Sequence, residues 1–161
     1  MKSGSFSLDS VQVKQSPLEC FSQYLQTRGK RVTSQRRVIV EQVFSHHDHF
    51  AADELIGHLQ PWMAQRKVSR PTVYRTLAEL VDASLLRSMI LGGRTVYEHE
   101  YGYPRHDHLY CQVCNRLIEF HSEQLERICE QAAKQASFQV SGHRLFISGI
   151  CADCQAARPR G

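Results

Sequence analysis

The chain has 161 residues, 42% of them hydrophobic, and a formal net charge of +4 at pH 7. It can form one ordinary domain or two small ones with an apolar core, and no apolar run is long enough to span a membrane. The opening segment, MKSGSFSLDSVQVKQS, lacks the apolar core of a secretory signal, so we expect a cytoplasmic protein.

Charge is distributed unevenly along the chain. Residues 1–98 contain 13 lysines and arginines against 9 acidic residues, whereas residues 99–161 contain 7 of each. A local basic excess suggests a polyanionic partner. The second segment also contains five of the six cysteines. We therefore predict a flexible extension over residues 1–16, followed by two domains with different tasks.

Apolar periodicity predicts helices in the first half of the chain. One helix spans residues 17–27 and stops near Gly29, and a second begins after Thr33, which is a good N-cap residue. A short third helix lies in HFAADELIGHL and is expected to end at Pro61. Ser69 is expected to cap a fourth helix in SRPTVYRTLAELVDASLL.

The fourth helix carries one apolar stripe, formed by Val73, Leu77, Leu80 and Val81. Burial of this stripe leaves Thr72, Tyr74 and Arg75 at the exposed start of the helix. The following LLRSMILGGRTVYE predicts two strands joined by a tight turn at its glycine pair. Helices followed by such a hairpin predict a winged helix-turn-helix domain over residues 17–98.

Residues 99–161 follow a different pattern. HLYCQVCNRLIEF predicts a strand, a turn and a second strand, SEQLERICEQAAKQA predicts a helix, and SFQVSGHRLFISGI predicts a long strand or hairpin. The predicted fold class is therefore α+β, with a small α/β domain after the winged helix.

Four cysteines in the second half form a paired motif. Cys111, Cys114, Cys151 and Cys154 give CxxC-x36-CxxC. Each pair can bind a metal from one tight turn, and two pairs complete the tetrahedron of thiolates typical of structural Zn²⁺. A redox CxxC is the alternative, but such a motif occurs once and opens a helix. Two copies in a cytosolic chain favour zinc.

The stretch HDH immediately precedes the first of these motifs. If residues 106–111 form a strand, successive side chains point to opposite faces. His106 and His108 then share one face, and Asp107 points from the other. One short strand can therefore contribute to two different sites.

The order and spacing of five motifs resemble the ferric uptake regulator family of metal-dependent repressors, from about Leu18 to Cys154. The motifs are HFAADEL, RPTVYRTL, HDHLYCQVC, LIEF and CADC. The resemblance implies a regulatory metal site that ties the two domains together, with the ligands His49, Glu98, His106, His108 and Glu119. Nitrogen and oxygen donors of this kind suit Fe²⁺, Mn²⁺, Co²⁺ or Zn²⁺.

Many members of that family have a third metal site. The resemblance assigns Asp107, Glu126 and His143 to it, but the remaining histidine of the family is replaced here by Arg105. An ion pair between Arg105 and one of the two acids is an alternative that needs no metal. With three ligands and water, the site could still hold zinc.

Residues 28–37, RGKRVTSQRR, contain five basic residues and no acidic one, which favours contacts with DNA phosphates. By resemblance, Arg31 enters the minor groove, Tyr74 packs on thymine methyl groups in the major groove, and Arg75 contacts bases or phosphates beside Thr72. The resemblance also implies a homodimer that pairs through its second domains. Such a dimer would require a palindromic, AT-rich operator.

These observations predict a metal-sensing transcriptional repressor with structural Zn²⁺ and a regulatory Fe²⁺, for which Mn²⁺ or Zn²⁺ could substitute. Zinc sensors of the family often use a cysteine at the sensing site, and peroxide sensors typically have aspartate at the position of Glu119. A zinc-, manganese- or peroxide-responsive member is the alternative. We do not expect an enzyme such as a mononuclear metal hydrolase, because five ligands leave no open coordination position. The basic segment argues against a zinc-stapled module that binds only protein.

Overall fold

A computed structural model describes residues 13–45 and 48–157. Most of the extension predicted over residues 1–16 lies outside these ranges. The chain divides into two compact units, the first ending at Tyr103 and the second beginning at Pro104. Within the described ranges, no helix is both long enough and apolar enough to cross a membrane.

The first unit, as far as it is described, combines four helices with a small antiparallel sheet. The helices are α1 (Pro17–Thr27), α2 (Ser34–Val43), α3 (Ala52–Gln65) and α4 (Arg70–Asp82). The strands are β1 (Phe50–Ala51), β2 (Leu86–Leu91) and β3 (Arg94–His99), arranged in the order β1-β3-β2. The predicted winged helix-turn-helix class is confirmed, and the hairpin turns at Gly92 and Gly93, both of which have positive φ.

Three helices begin at the predicted residues because side-chain oxygens satisfy their first backbone N–H groups. Ser16, Thr33 and Ser69 each accept a hydrogen bond from the N–H three residues later, at 3.2, 3.2 and 3.3 Å. The chain leaves α1 through Gly29, whose φ of 66° favours glycine. Local capping therefore fixes where α1, α2 and α4 start.

The prediction that α3 ends at Pro61 is wrong, because the helix continues to Gln65. A proline inside a helix removes a hydrogen bond and costs about 3 kcal/mol. Beyond it, Trp62 and Met63 pack against the core of the unit. Burying a large apolar side chain completely contributes about 1.5–3 kcal/mol, so the partial burial of these two residues offsets much of the local cost.

A single hydrophobic core holds the first unit together. Its buried members come from all four helices and the start of the hairpin and include Phe21, Leu25, Ile39, Ile56, Leu59, Val73, Leu77, Leu80, Leu85 and Leu86. Because α4 turns its apolar stripe into this core, the opposite side of its first turns faces solvent, where Tyr74 is 46% exposed.

The first unit extends past the end of β3. His99, the last residue of that strand, is 6% exposed, and its Nε2 lies 2.9 Å from the carbonyl oxygen of Val43 in α2. The N–H of Glu100 donates to the carbonyl of Leu85 at 3.1 Å. The boundary predicted between residues 98 and 99 therefore falls inside β3, whose last residue is anchored to the first unit.

The second unit is built on a mixed three-stranded sheet. Its described elements are β4 (Asp107–Cys111), β5 (Leu117–Phe120), α5 (Glu123–Gln135), β6 (Phe146–Gly149) and α6 (Ala152–Ala156). The central strand β4 pairs antiparallel with β5 and parallel with β6. The small α/β domain of the predicted fold class is therefore present.

The long strand or hairpin predicted for SFQVSGHRLFISGI is wrong, since only the four residues of β6 form a strand. The carbonyl of Leu145 accepts from the N–H of His108 at 3.0 Å, as a strand residue would. Its own N–H donates to Oδ1 of Asp107 at 2.7 Å. The Asp107 side chain thus accepts the hydrogen bond that the N–H of Leu145 would otherwise donate to the backbone of a longer β4–β6 ladder. Regular pairing between the two strands begins only at Phe146.

Candidate metal centre and nucleic-acid interface

The cysteines of the two CxxC motifs lie together in the second unit. The Sγ atoms of Cys111, Cys114, Cys151 and Cys154 all lie within 4.8 Å of one another, and those of Cys114 and Cys151 are 3.7 Å apart. Tetrahedral Zn²⁺ with Zn–S bonds of about 2.3 Å separates its sulfurs by about 3.8 Å. The four thiols therefore fit a closed zinc site.

Sheet pairing and two tight turns bring these cysteines together. Cys111 ends β4 and lies opposite Gly149 of β6, so the second motif begins two residues beyond its partner. After the first motif, the chain reverses at Asn115, which has a φ of 59° and donates its N–H to the carbonyl of Cys111 at 2.9 Å. Cys151 is the N-cap of α6, which places Cys154 in its first turn.

Hydrogen bonds shift the pKa values of two of the thiols in opposite directions. The N–H of Cys151 donates to Sγ of Cys111 at 3.3 Å. Donation by this backbone amide and that of Cys114 lowers the pKa of Cys111 to about 6. The hydrogen bond between Cys154 and Cys151 raises the pKa of Cys154 to about 12. The Cys111 thiol is thus easier to deprotonate for metal binding than the Cys154 thiol.

His49 and Glu98 form an imidazole–carboxylate pair in the first unit. Nε2 of His49 lies 3.1 Å from Oε2 of Glu98, which is 4% exposed. The pair forms because Phe50 of β1 lies opposite Tyr97 of β3, which brings the residues beside them together. Arg87 is the cross-strand partner of Glu98 in the hairpin, with NH1 3.5 Å from Oε1. One carboxylate therefore contacts both an imidazole and a guanidinium.

His106, His108 and Glu119 form a second group of possible ligands, within the second unit. The two imidazole rings have centroids 4.8 Å apart, and His108 is 1% exposed. Glu119 lies opposite His108 in the β4–β5 ladder, and its Oε1 is 3.9 Å from Nε2 of His106. The strand predicted over residues 106–111 begins at Asp107, so His106 directly precedes it. The register of β4 and β5, together with this position of His106, places two imidazoles and a carboxylate next to one another.

Asp107 contacts a different set of groups. Its Oδ2 lies 3.1 Å from Nε2 of His143, and the carboxylate is 3% exposed. Arg105 donates to the carbonyl of Ser141 at 2.6 Å. Among the residues that the structure describes, Glu126 does not join Asp107 and His143 in a group of three clustered ligand atoms. Two of the three residues assigned to the third site are therefore adjacent.

The basic segment before α2 contains both exposed and paired cations. Arg31 and Arg37 are exposed. The side chain of Arg36 is only 14% exposed, and its NH2 lies 2.9 Å from Oε2 of Glu79 on α4. Nζ of Lys30 lies 2.8 Å from Oε1 of the same carboxylate. Two of the five cations expected to contact phosphates thus pair with an acid of the protein.

The start of α4 presents polar side chains to solvent. Tyr74 and Arg75 are exposed and Thr72 is half-buried. The hydroxyl of Tyr74 donates to Oδ1 of Asp53 at 3.4 Å, and Arg70 lies 3.5 Å from the same oxygen. Long contacts between exposed groups contribute little. The tyrosine and its neighbours are therefore accessible to a large ligand such as DNA.

Sequence reasoning missed two residues that organise these sites, Glu79 and Arg87. Glu79 lies between two residues of the apolar stripe on α4, Leu77 and Leu80, and is itself 6% exposed. An acid in a buried stripe, together with a basic segment lacking acids of its own, was the available signal. No local pattern marked Arg87, because its role depends on the register of the hairpin.

Comparisons with known proteins agree with this geometry. The sequence profile of the Ferric uptake regulator family matches residues 27–148. The chain is 31% identical over 137 residues to the ferric uptake regulation protein of Campylobacter upsaliensis, covering 85% of this chain and 88% of that protein. It is 30% identical over 131 residues to the peroxide-responsive repressor PerR of Staphylococcus saprophyticus, covering 81% and 86%. It is also similar to the crystal structure of the Vibrio cholerae ferric uptake regulator, with a TM-score of 0.64, 31% identity and coverage of 81% and 98%.

Proposed function

The chain belongs to the ferric uptake regulator family of metal-sensing transcriptional regulators, and we propose that it is an iron-responsive repressor. Its regulatory ligands would be His49 and Glu98 from the first unit, with His106, His108 and Glu119 from the second. The observation that carries this proposal is that each unit contains its own group of adjacent imidazole and carboxylate side chains. Neither group includes a thiol, so both are chemically distinct from the cysteine site.

The donor types are compatible with iron as the regulatory metal. Imidazole nitrogens and carboxylate oxygens suit Fe²⁺ and also Mn²⁺ or Zn²⁺, whereas the four clustered thiols select Zn²⁺. A peroxide-responsive repressor is among the relatives, so peroxide response is the second candidate. It is tested by adding hydrogen peroxide to the iron-loaded protein on DNA, where an iron-responsive repressor should stay bound.

The proposed mechanism is a shift between conformations of the chain. A bound divalent ion supplies positive charge and fixed coordination directions. His49 and Glu98 lie in the unit that carries α4, so a metal held by them and by His106, His108 and Glu119 would tie this unit to the second one. The conformation in which all five side chains can bind would be favoured by its greater affinity for the metal. If the same conformation binds DNA, metal binding and DNA binding strengthen each other equally.

We assign DNA binding to the first unit. Its sequence through residue 98 has 13 basic against 9 acidic residues, and Arg31, Tyr74 and Arg75 are exposed. Arg31 would enter the minor groove while the first turns of α4, with Thr72, contact base edges and phosphates in the major groove. Such a repressor would act on DNA in the cytoplasm and would not be an enzyme.

The proposed dimerisation surface is one face of the sheet in the second unit. Leu109, Ile118 and Ile147 share one face because they lie opposite one another in the two ladders of β4. Leu109 is 38% exposed and Ile147 is 43% exposed, and the three line a cavity of about 160 Å³. A second copy covering this face would stabilise the dimer by about 25 cal/mol for each Å² of apolar surface buried. Its two-fold symmetry would require a palindromic operator, proposed here to be AT-rich.

The proposal is tested by selecting duplexes from a random library with the purified protein under anaerobic conditions. Separate selections contain Fe²⁺, Mn²⁺, Zn²⁺ or a chelator, and the bound metals are measured in parallel. We expect a palindromic duplex that binds more tightly with Fe²⁺ than with chelator. A protein that enriches no sequence under any condition, or that hydrolyses test esters in a metal-dependent way, would contradict a repressor function.

A further inference from the structure

A buried carboxylate on α4 forms ion pairs with the basic segment of residues 28–37, and the proposed function assigns no role to this cluster. Glu79 is 6% exposed. Nζ of Lys30 lies 2.8 Å from its Oε1, and NH2 of Arg36 lies 3.0 Å from Oε1 and 2.9 Å from Oε2. One acid therefore binds two of the five cations in residues 28–37.

The same cluster also holds the backbone that carries Arg31. NH1 of Arg36 donates to the carbonyl oxygen of Arg31 at 3.0 Å. The backbone N–H of Arg36 donates to the capping hydroxyl of Thr33 at 3.2 Å. The guanidinium thus connects the Arg31 backbone to Glu79 through two charge-assisted hydrogen-bonding groups, which are stronger than neutral ones.

Glu79 is located on the side of α4 that also carries Arg75. The two residues are four positions apart in the same helix and therefore lie one turn apart on one side. The exposed start of α4 and the exposed Arg31 are consequently linked through a single buried acid. The start of α4 is the part assigned to the major groove, and Arg31 is the residue assigned to the minor groove.

We propose that Glu79 is a positioning residue for DNA discrimination, which fixes Arg31 relative to Tyr74 and Arg75. This inference rests on the proposed DNA binding of the first unit. A duplex would then bind tightly only where its minor-groove and major-groove features match one fixed spacing. Without Glu79, Lys30 and Arg36 would be free to follow phosphates on any sequence, and the Arg31 backbone would lose its link to α4.

The negative charge of Glu79 should have opposite effects on binding to unrelated DNA and on the preference for the operator. A carboxylate next to a DNA-binding surface opposes phosphate binding, and it neutralises cations that could each release about one counterion from DNA. Removing it should therefore strengthen binding to unrelated DNA while weakening the preference for the operator. A residue that served only folding would change the active fraction of protein and would alter both affinities by the same factor.

The test compares the affinities of the full-length protein for a duplex selected by the unsubstituted protein and for a scrambled duplex, across a salt series with Mn²⁺. Glu79→Gln should bind the scrambled duplex more tightly, with a salt slope steeper by about one, and lose roughly tenfold of its operator preference. Glu41→Gln removes one charge from an exposed position of α2 and is the matched control. It should leave the operator preference unchanged.

Two charge-conserving variants keep the proposal testable if Glu79→Gln folds poorly. Glu79→Asp is one methylene shorter, and Arg36→Lys lacks the second nitrogen that contacts the Arg31 carbonyl. Both should leave scrambled-duplex affinity and salt slope unchanged while lowering operator preference. Unchanged preference in the folded variants would overturn the inference alone. An unsubstituted protein without any sequence preference would overturn it together with the proposed function.

Discussion

Nε2 of His49 and Oε2 of Glu98 lie 3.1 Å apart where β1 pairs with β3. Both side chains belong to the unit that carries α4, and the carboxylate is buried between the imidazole and the guanidinium of Arg87. Two ligand types suited to Fe²⁺ are thus placed together by the pairing of three strands. A metal bound to them would be connected directly to the β2–β3 hairpin of the unit that is proposed to bind DNA.

The cysteine site predicts one tightly bound zinc per chain. Cys111→Ser removes the thiolate that backbone N–H groups already stabilise, so we expect loss of that zinc and of the dimer. Metal analysis and sedimentation of the purified variant measure both effects, with Cys129→Ser as the control because that cysteine lies outside the cluster. Full zinc content in a dimeric Cys111→Ser protein would show that the site is assigned wrongly.

Zinc uptake should also depend on pH in a defined direction. The pKa of Cys111 is lowered to about 6, so its proton is displaced by zinc only when the pH falls towards or below that value. The pKa of Cys154 is raised to about 12, so its proton is displaced throughout the accessible range. The number of protons released for each zinc ion bound should therefore increase by about one as the pH falls through 6.

Calorimetry in buffers of different ionisation enthalpy measures this release. A His106→Ala background removes one ligand of the other site and directs zinc to the cysteines. Proton release that stays constant or decreases from pH 7.5 to pH 5.5 would contradict the assignment of Cys111 as the preformed thiolate.

Arg31 and Tyr74 should affect DNA binding in different ways. Arg31→Ala removes a groove or phosphate charge, so operator affinity should fall and the salt slope should decrease by about one. Tyr74→Ala should instead relax sequence preference with little change in the slope, because the ring would contact thymine methyl groups. Equilibrium titrations over a salt series separate the two effects. If both variants bind DNA like the unsubstituted protein, this face of the first unit is not the DNA-binding surface.

Asp107 should contribute mainly to stability. Its buried carboxylate accepts from the N–H of Leu145 and contacts His143, so Asp107→Ala leaves a partly buried donor without this acceptor and should destabilise the protein by about 1–3 kcal/mol. We expect no loss of metal under conditions that load only the cysteine and regulatory sites. Urea unfolding and metal analysis check this, and a lost metal ion with unchanged stability would instead favour an occupied third site.

Local chemistry in the sequence was sufficient to predict the elements that position the sites. Caps and an apolar stripe defined α4, the spacing of four cysteines defined their cluster, and alternation separated His106 and His108 from Asp107. Features that depend on tertiary contacts were not predictable. The extension of α3 beyond Pro61 depends on packing by Trp62 and Met63, and β6 is short because Asp107 takes the N–H of Leu145. The pairing of Lys30 and Arg36 with Glu79 likewise joins residues more than forty positions apart.

The most direct test of metal sensing measures operator affinity with and without Fe²⁺ or Mn²⁺ for the unsubstituted protein, His49→Ala and Asp107→Ala. The unsubstituted protein should gain about 1–3 kcal/mol of operator binding from the metal. His49→Ala should lose this gain while keeping its cysteine-bound zinc and its dimer, whereas the folded fraction of Asp107→Ala should retain the gain. A full metal response in His49→Ala together with its loss in Asp107→Ala would contradict the proposal and place the sensing site on the opposite face of β4.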